Sequence, residues 1–144
     1  MKIAAAVLLA IISTAAVAEE ESRLWLTATV RSYHLDRQTR HNEANYGLGV
    51  ECRFAGSLSV SAGQYTNSRW KTSSYATANY TPLQIGPVKL GASAGAVTGY
   101  TMHYTPLFAP TAVIEGKTWG ANLLAIPPFD GGSWVFGLQV KRRF

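Results

Sequence analysis

Beyond its first eighteen residues the chain alternates apolar and polar side chains with period two, segment after segment. Between 24 and 33, Leu24, Leu26, Ala28 and Val30 alternate with Trp25, Thr27, Thr29, Arg31 and Tyr33. Between 46 and 54, Tyr46, Leu48, Val50, Cys52 and Phe54 alternate with Gly47, Gly49, Glu51 and Arg53. The same alternation runs through 57–65, 74–80 and 88–97, then through about 107–115, 118–126 and 134–144. Successive side chains of a strand point to opposite faces, so the pattern predicts eight strands, each with one apolar face. Most approach the ~9–11 residues with which a tilted strand crosses a bilayer. The links alternate in length. Ala55-Gly56, Pro82 to Pro87 and Glu115-Gly116-Lys117 are short; His34–Asn45, Thr66–Ser73, Gly99–Thr105 and Pro127–Ser133 are long. Short turns at one end and long loops at the other belong to an all-β fold, an eight-stranded antiparallel up-and-down transmembrane β-barrel.

The first residues read differently. Lys2 precedes an apolar run from Ile3 to Val17, and Ala16-Val17-Ala18 supplies the small–x–small pattern of a signal-peptidase site. Residues 1–18 are therefore expected to be a signal peptide and 19–144 the barrel. The formal charge of +5 falls to +4 once Lys2 leaves, too small an excess to indicate an anionic partner. A single cysteine, Cys52, excludes an internal disulfide framework. A water-soluble barrel would put its charged face outward, but here that face is sparse and glycine-rich. Phe144 also closes the chain in phase with the apolar face, as in the signal read by the barrel-assembly machinery. The expected location is the cell outer membrane and the expected state a monomer.

With the phase fixed, the inward residues sort by height. Glu51, Arg53, Lys89, Glu115, Lys141 and Arg143 crowd the end with the short turns, where opposite charges should pair and plug the lumen. Towards the long loops the inward set is small or apolar, including Gly49, Gly63, Gly95, Leu124, Ile126 and Gly137, with Tyr33, Tyr65 and Tyr75. Eight strands leave no aqueous channel but room for one slender ligand. The expectation is a plugged base under an apolar pocket.

Several short pieces occur in an order and spacing that resemble the PagP family of outer-membrane lipid A palmitoyltransferases, from about Leu24 to Phe144. They are Asp36-Arg37 through Arg40-His41-Asn42-Glu43, Asn67-Ser68-Arg69-Trp70, Tyr80-Thr81-Pro82-Leu83, Leu90-Gly91 with Ala94-Gly95, Pro106-Leu107 with Pro110, and Ile126-Pro127. The resemblance implies acyl transfer from phospholipid to lipid A at the outer leaflet, without a cofactor. It also implies a lateral gate at Pro110 and Pro127, where proline, lacking an N–H, weakens strand pairing. The chain departs from the family in four places. Asn67 stands where the family has an aspartate beside the serine matched by Ser68. The family's first-strand histidine has no counterpart in Ala28 to Val30, and His34 lies several residues later. No amphipathic helix precedes the first strand. Tyr75 falls where the family has a small residue at the pocket floor, which argues against palmitate.

On chemistry alone, acyl transfer needs a base or nucleophile and oxyanion donors. His34 would be the base, tuned by Asp36; Ser68 would be nucleophile or oxyanion donor, and Asn67 and Asn45 would orient them, with Asn42, Ser73 and Tyr100 at the same rim. Against this, asparagine and serine commonly make turns in rim loops. His34, His41 and Asp36 fit no established metal spacing, and no nucleic-acid motif is present. A non-enzymatic surface barrel with a binding or structural role therefore stands beside the enzyme reading.

Overall fold

The computed structural model describes residues 23–54, 56–128 and 132–144. The proposed signal peptide lies outside them. Eight strands follow in chain order: β1 (Arg23–His34), β2 (Gly47–Arg53), β3 (Leu58–Thr66), β4 (Thr72–Ile85), β5 (Val88–Val97), β6 (Thr105–Glu115), β7 (Trp119–Ile126) and β8 (Val135–Arg143). Each pairs antiparallel with its chain neighbours, and β1 pairs with β8 to close the barrel. Closure gives every strand a neighbour on both sides, as backbone in hydrocarbon requires, although the β6–β7 ladder extends only from Glu115↔Gly120 to Thr111↔Leu124.

The alternation predicts the two surfaces. Leu24, Leu26, Leu48, Phe108, Leu123, Phe136 and Leu138 are exposed on the outside, while Thr27, Ser59, Ser61, Asn79, Ser93 and Asn122 are buried within. An apolar exterior around a polar interior inverts a water-soluble barrel and matches one solvated by lipid. Trp119, Tyr80, Trp134 and Phe144 are exposed near strand ends, where aromatic residues form interfacial girdles.

Two departures from strict period two re-aim side chains. β4 does not stop near Tyr80 but continues to Ile85, because Thr81 and Pro82 together oppose Gly91 between the pairs Tyr80↔Ala92 and Leu83↔Leu90. A bulge tolerates proline, since the ladder needs no N–H there. The expected Pro82–Pro87 link thus shrinks to Gly86-Pro87, with Gly86 at φ 57°, a turn conformation open to glycine. In β1, Val30 is extra: Thr29 pairs with Gln139 and Arg31 with Leu138. One inserted residue reverses the facing of everything after it. Tyr33, expected in the lumen, is therefore exposed, and His34 is buried instead.

Candidate functional site

The lumen has three levels. At the short-turn end an ionic plug closes it as expected. Lys141 Nζ lies 2.9 Å from Glu51 and 2.7 Å from Glu115. Arg53 reaches Glu115 at 2.8 Å and Glu51 at 3.3 Å, and Lys89 reaches Glu115 at 2.9 Å. Trp25, wholly buried, lies 4.9 Å from both Lys141 Nζ and the Arg143 guanidinium. Excess positive charge thus rests on an aromatic face rather than on water.

Above the plug comes a belt of hydroxyls and amides that the height sorting left out. Ser61 and Thr77 are 2.7 Å apart, Asn79 Nδ2 donates to Ser59 and Ser61 at 3.1 Å each, and Ser93 meets Thr111 at 2.8 Å. Asn122 donates to Glu51 at 3.0 Å and joins belt to plug. Apart from Asn122 Oδ1, which is buried without a partner, these groups satisfy one another, as burial demands. The apolar pocket consequently has a polar floor.

From that belt to the long-loop mouth runs a cavity of about 990 Å³, with Val97, Leu107, Leu124, Ile126 and Val135 on its upper wall. Tyr75 fills only one side. Its hydroxyl accepts a hydrogen bond from Gln139 at 3.2 Å and lies 3.4 Å from the Thr27 hydroxyl. Its ring covers Gly49 and Gly63, where an added Cβ would fall 2.5 Å from Tyr75 Oη and 2.9 Å from Cε1. Gly49 and Gly63 are thus the seat of the tyrosine rather than walls of the pocket. Gly95 is also displaced from the expected wall, because β4 runs so close that its Cβ would meet the Ala76 carbonyl. Gly137 is the opposite case: nothing stands within 4 Å of a Cβ there, so it looks onto open lumen.

The cavity reaches the barrel wall between β6 and β7. Their ladder runs from Glu115↔Gly120 to Thr111↔Leu124 and stops. β5 still pairs with β6 up to Thr105, and β8 with β7 up to Ile126. Residues 105–110 of β6 therefore have no partner on the β7 side. Pro110 begins this unpaired stretch with its side chain exposed, and Pro127, which ends β7's run, lines the cavity. Both expected gate prolines flank the break.

At the mouth His34 is 5 % exposed, with its ring stacked on His41 at 4.1 Å and 7°. The carboxylate beside it is Glu43, not Asp36. Glu43 Oε1 accepts the His34 N–H at 3.0 Å, receives Arg37 at 2.7 Å, and stands 3.7 Å from His34 Nδ1. The His34 N–H foremost, with Arg37, holds the Glu43 carboxyl below its ordinary range. Asp36 turns to the other imidazole, 3.6 Å from His41 Nε2. Thr39 and the Gln38 N–H keep its carboxyl down at about 2. Parallel stacking aims the two imidazoles alongside rather than at one point, and no cluster among the described residues could hold a metal ion.

Asn67 does not face the cavity. It is fully buried, with Oδ1 accepting the N–H of Arg69 at 2.8 Å and of Lys71 at 3.0 Å. Its Nδ2 donates to Ser73 Oγ at 2.9 Å and to the Gly99 carbonyl at 3.0 Å. Its side chain is committed to shaping the β3–β4 loop, an Asx-type turn role, and to tying that loop to the β5–β6 loop at Gly99. Ser68 lines the same cavity as His34, but no hydrogen bond links the two side chains. Three mouth residues with no expected role, Arg40, Arg69 and Trp70, line the cavity beside the rim candidate Tyr100. Their signal in the sequence was a place in the family-like pieces 36–43 and 67–70, with the cationic and aromatic character common in any rim.

No protein-family model matches the chain, and neither does any curated protein. Among solved structures the chain is similar to the outer membrane protein Ail of Yersinia pestis, whose backbone structure was obtained in a phospholipid bilayer nanodisc. The two are 13 % identical over 86 % of this chain and 100 % of that one, with a TM-score of 0.45.

Proposed function

We propose that this chain is an outer-membrane barrel that draws a lipid acyl chain sideways into its lumen and, like the PagP family it resembles, transfers it from phospholipid to lipid A. The observation that carries the reading is the break in the β6–β7 ladder beyond Thr111↔Leu124, which opens beside the apolar upper wall of the cavity. In a closed barrel every missing rung leaves backbone N–H and C=O groups unpaired, an expensive arrangement in lipid. A retained break beside a cavity fits a lateral passage. The polar belt and Tyr75 shorten the apolar depth, so the chain accepted is shorter than palmitate.

In this reading His34 acts as general base, with Glu43, 3.7 Å from its otherwise unpartnered Nδ1, closing to orient it when substrate binds, and Ser68 serves as nucleophile or oxyanion donor. Catalytic hydrogen bonds in ligand-free sites are often long and tighten when substrate binds. A barrel that holds lipid without chemistry is the second reading, favoured by the missing His34–Ser68 hydrogen bond. Delivery by a cleaved signal peptide and insertion by the barrel-assembly machinery as a monomer belong to the same proposal.

The test is mass spectrometry of lipid A and phospholipids from cells expressing the chain or its His34→Ala and Ser68→Ala forms. A gain of one acyl mass on lipid A with accumulating lysophospholipid, lost in either variant, is expected. Retention in both variants would remove the residue assignments, and loss of an acyl chain would mean hydrolysis instead. Unchanged lipids in a correctly inserted barrel would leave the non-enzymatic reading.

A further inference from the structure

The cations at the mouth are of two kinds. Arg37 is neutralised by Glu43 at 2.7 Å. Arg40 and Arg69 have no carboxylate within 4 Å among the described residues. Each instead lies over an aromatic ring, Arg40 at 5.9 Å from the Trp70 centroid and Arg69 at 5.8 Å from that of Tyr100. All four side chains line the cavity.

Their loops are braced. Asn42 donates its N–H to the Ser68 carbonyl at 2.9 Å and its Nδ2 to the Asn67 carbonyl at 3.1 Å, tying the loop of Arg40 to that of Arg69. Asn67, fully buried, holds the Arg69 N–H directly. Trp70 sits at φ 58°, the left-handed region that a bulky side chain enters only when its surroundings dictate it. Arg40 is thus stacked on a residue that the fold holds in an unfavoured conformation. Such outliers concentrate at ligand-binding sites.

We propose that Arg40 and Arg69 form an anion-binding pair that holds the phosphate of a lipid head group over the mouth while the lipid's chain occupies the cavity. This rests on the lipid-binding reading above and adds what recognises the head. A ring covers one face of each guanidinium and leaves its N–H edge clear, with only Arg69 Nη1 donating to Thr101 Oγ1 at 3.3 Å, and that planar edge matches phosphate oxygens two at a time. With no carboxylate within 4 Å among the described residues, both cations remain available to a ligand. Ser68, preceding Arg69 and lining the same mouth, would then lie near the esters of the bound lipid. A phosphodiester in a phospholipid and a phosphomonoester in a phosphorylated glycolipid share this chemistry.

The full barrel, folded in a non-ionic detergent, can be titrated calorimetrically with four probes: phosphorylated lipid A, the same lipid A stripped of phosphate, phosphatidylglycerol, and inorganic phosphate. Three proteins are compared: the unaltered chain, Arg40→Ala/Arg69→Ala, and the carboxylate-paired control Arg37→Ala. Both target arginines are exposed, and circular dichroism verifies that each variant folds. Loss of the pair should weaken the phosphorylated lipids by roughly tenfold to a hundredfold. Stripped lipid A should bind all three proteins alike, and Arg37→Ala should match the unaltered chain. Preference between lipid A and phosphatidylglycerol identifies the monoester or the diester as the source. Equal weakening for phosphorylated and stripped lipid, or none for either, overturns the pair. Phosphate binding that depends on the pair, without any lipid binding, sustains the pair and overturns the lipid reading instead.

Discussion

Replacing Lys141 by Met keeps the length of the side chain over Trp25 but removes the charge between Glu51 and Glu115. Lys141 is fully buried, 2.9 Å from one carboxylate and 2.7 Å from the other. At an effective dielectric near 20, each contact has a gross attraction of about 6 kcal/mol, and the desolvation of three ions offsets much of it. Glu115 keeps Arg53 and Lys89. Glu51 keeps only Arg53, at 3.3 Å, and the Asn122 amide. The loss therefore falls mainly on Glu51, now an under-compensated buried charge, and should destabilise by about 3–5 kcal/mol. Equilibrium urea unfolding from lipid vesicles measures it. Adding Glu51→Gln to Lys141→Met should recover most of the loss, because the second change removes the stranded charge. Lys89→Met, at a half-buried position, should cost less than Lys141→Met. The reasoning is refuted if Lys141→Met stays within about 1 kcal/mol of the parent, or if Glu51→Gln fails to rescue it.

Three further outcomes follow from particular positions. Gly137 faces open lumen whereas a Cβ at Gly49 would meet the Ala62 carbonyl at 2.6 Å. Gly137→Leu should therefore fold normally and block lipid uptake, while Gly49→Ala should lose about 1–3 kcal/mol by the same unfolding assay. Trp70→Gly should cost no stability, since glycine occupies φ 58° without strain; a lower unfolding free energy would mean the Arg40 contact outweighs the strain. The Asp36 carboxyl is depressed to about 2. Its support of the 36–39 turn is then complete above its ordinary value of 3.8 and is lost as pH falls through about 2. Amide chemical shifts of Gln38 and Thr39 report this, and a midpoint near 4 would contradict the hydrogen-bonded geometry.

What the amino-acid sequence determined by itself is what one strand's covalent geometry determines. Alternation placed Leu24, Leu48, Leu123 and Phe136 outside and Glu51, Glu115 and Lys141 inside, because successive side chains must point oppositely. From that phase alone the eight strands, their antiparallel order and the plug were legible. Everything resting on pairing between distant residues was not. The extra Val30 is visible only against Gln139 and Leu138 on β8, and it decides that His34 rather than Tyr33 is buried. Gln139 donates to Thr29, 110 residues away, and to Tyr75, contacts that hold the tyrosine over Gly49 and Gly63. The commitment of Asn67 to Ser73 and Gly99 and the choice of Glu43 over Asp36 beside His34 likewise arise from loops meeting after closure. The prolines marked where the β6–β7 ladder could fail, but the failure itself is a relation between two strands. Period two belongs to a strand; register, bulges and the contents of a lumen belong to the closed barrel.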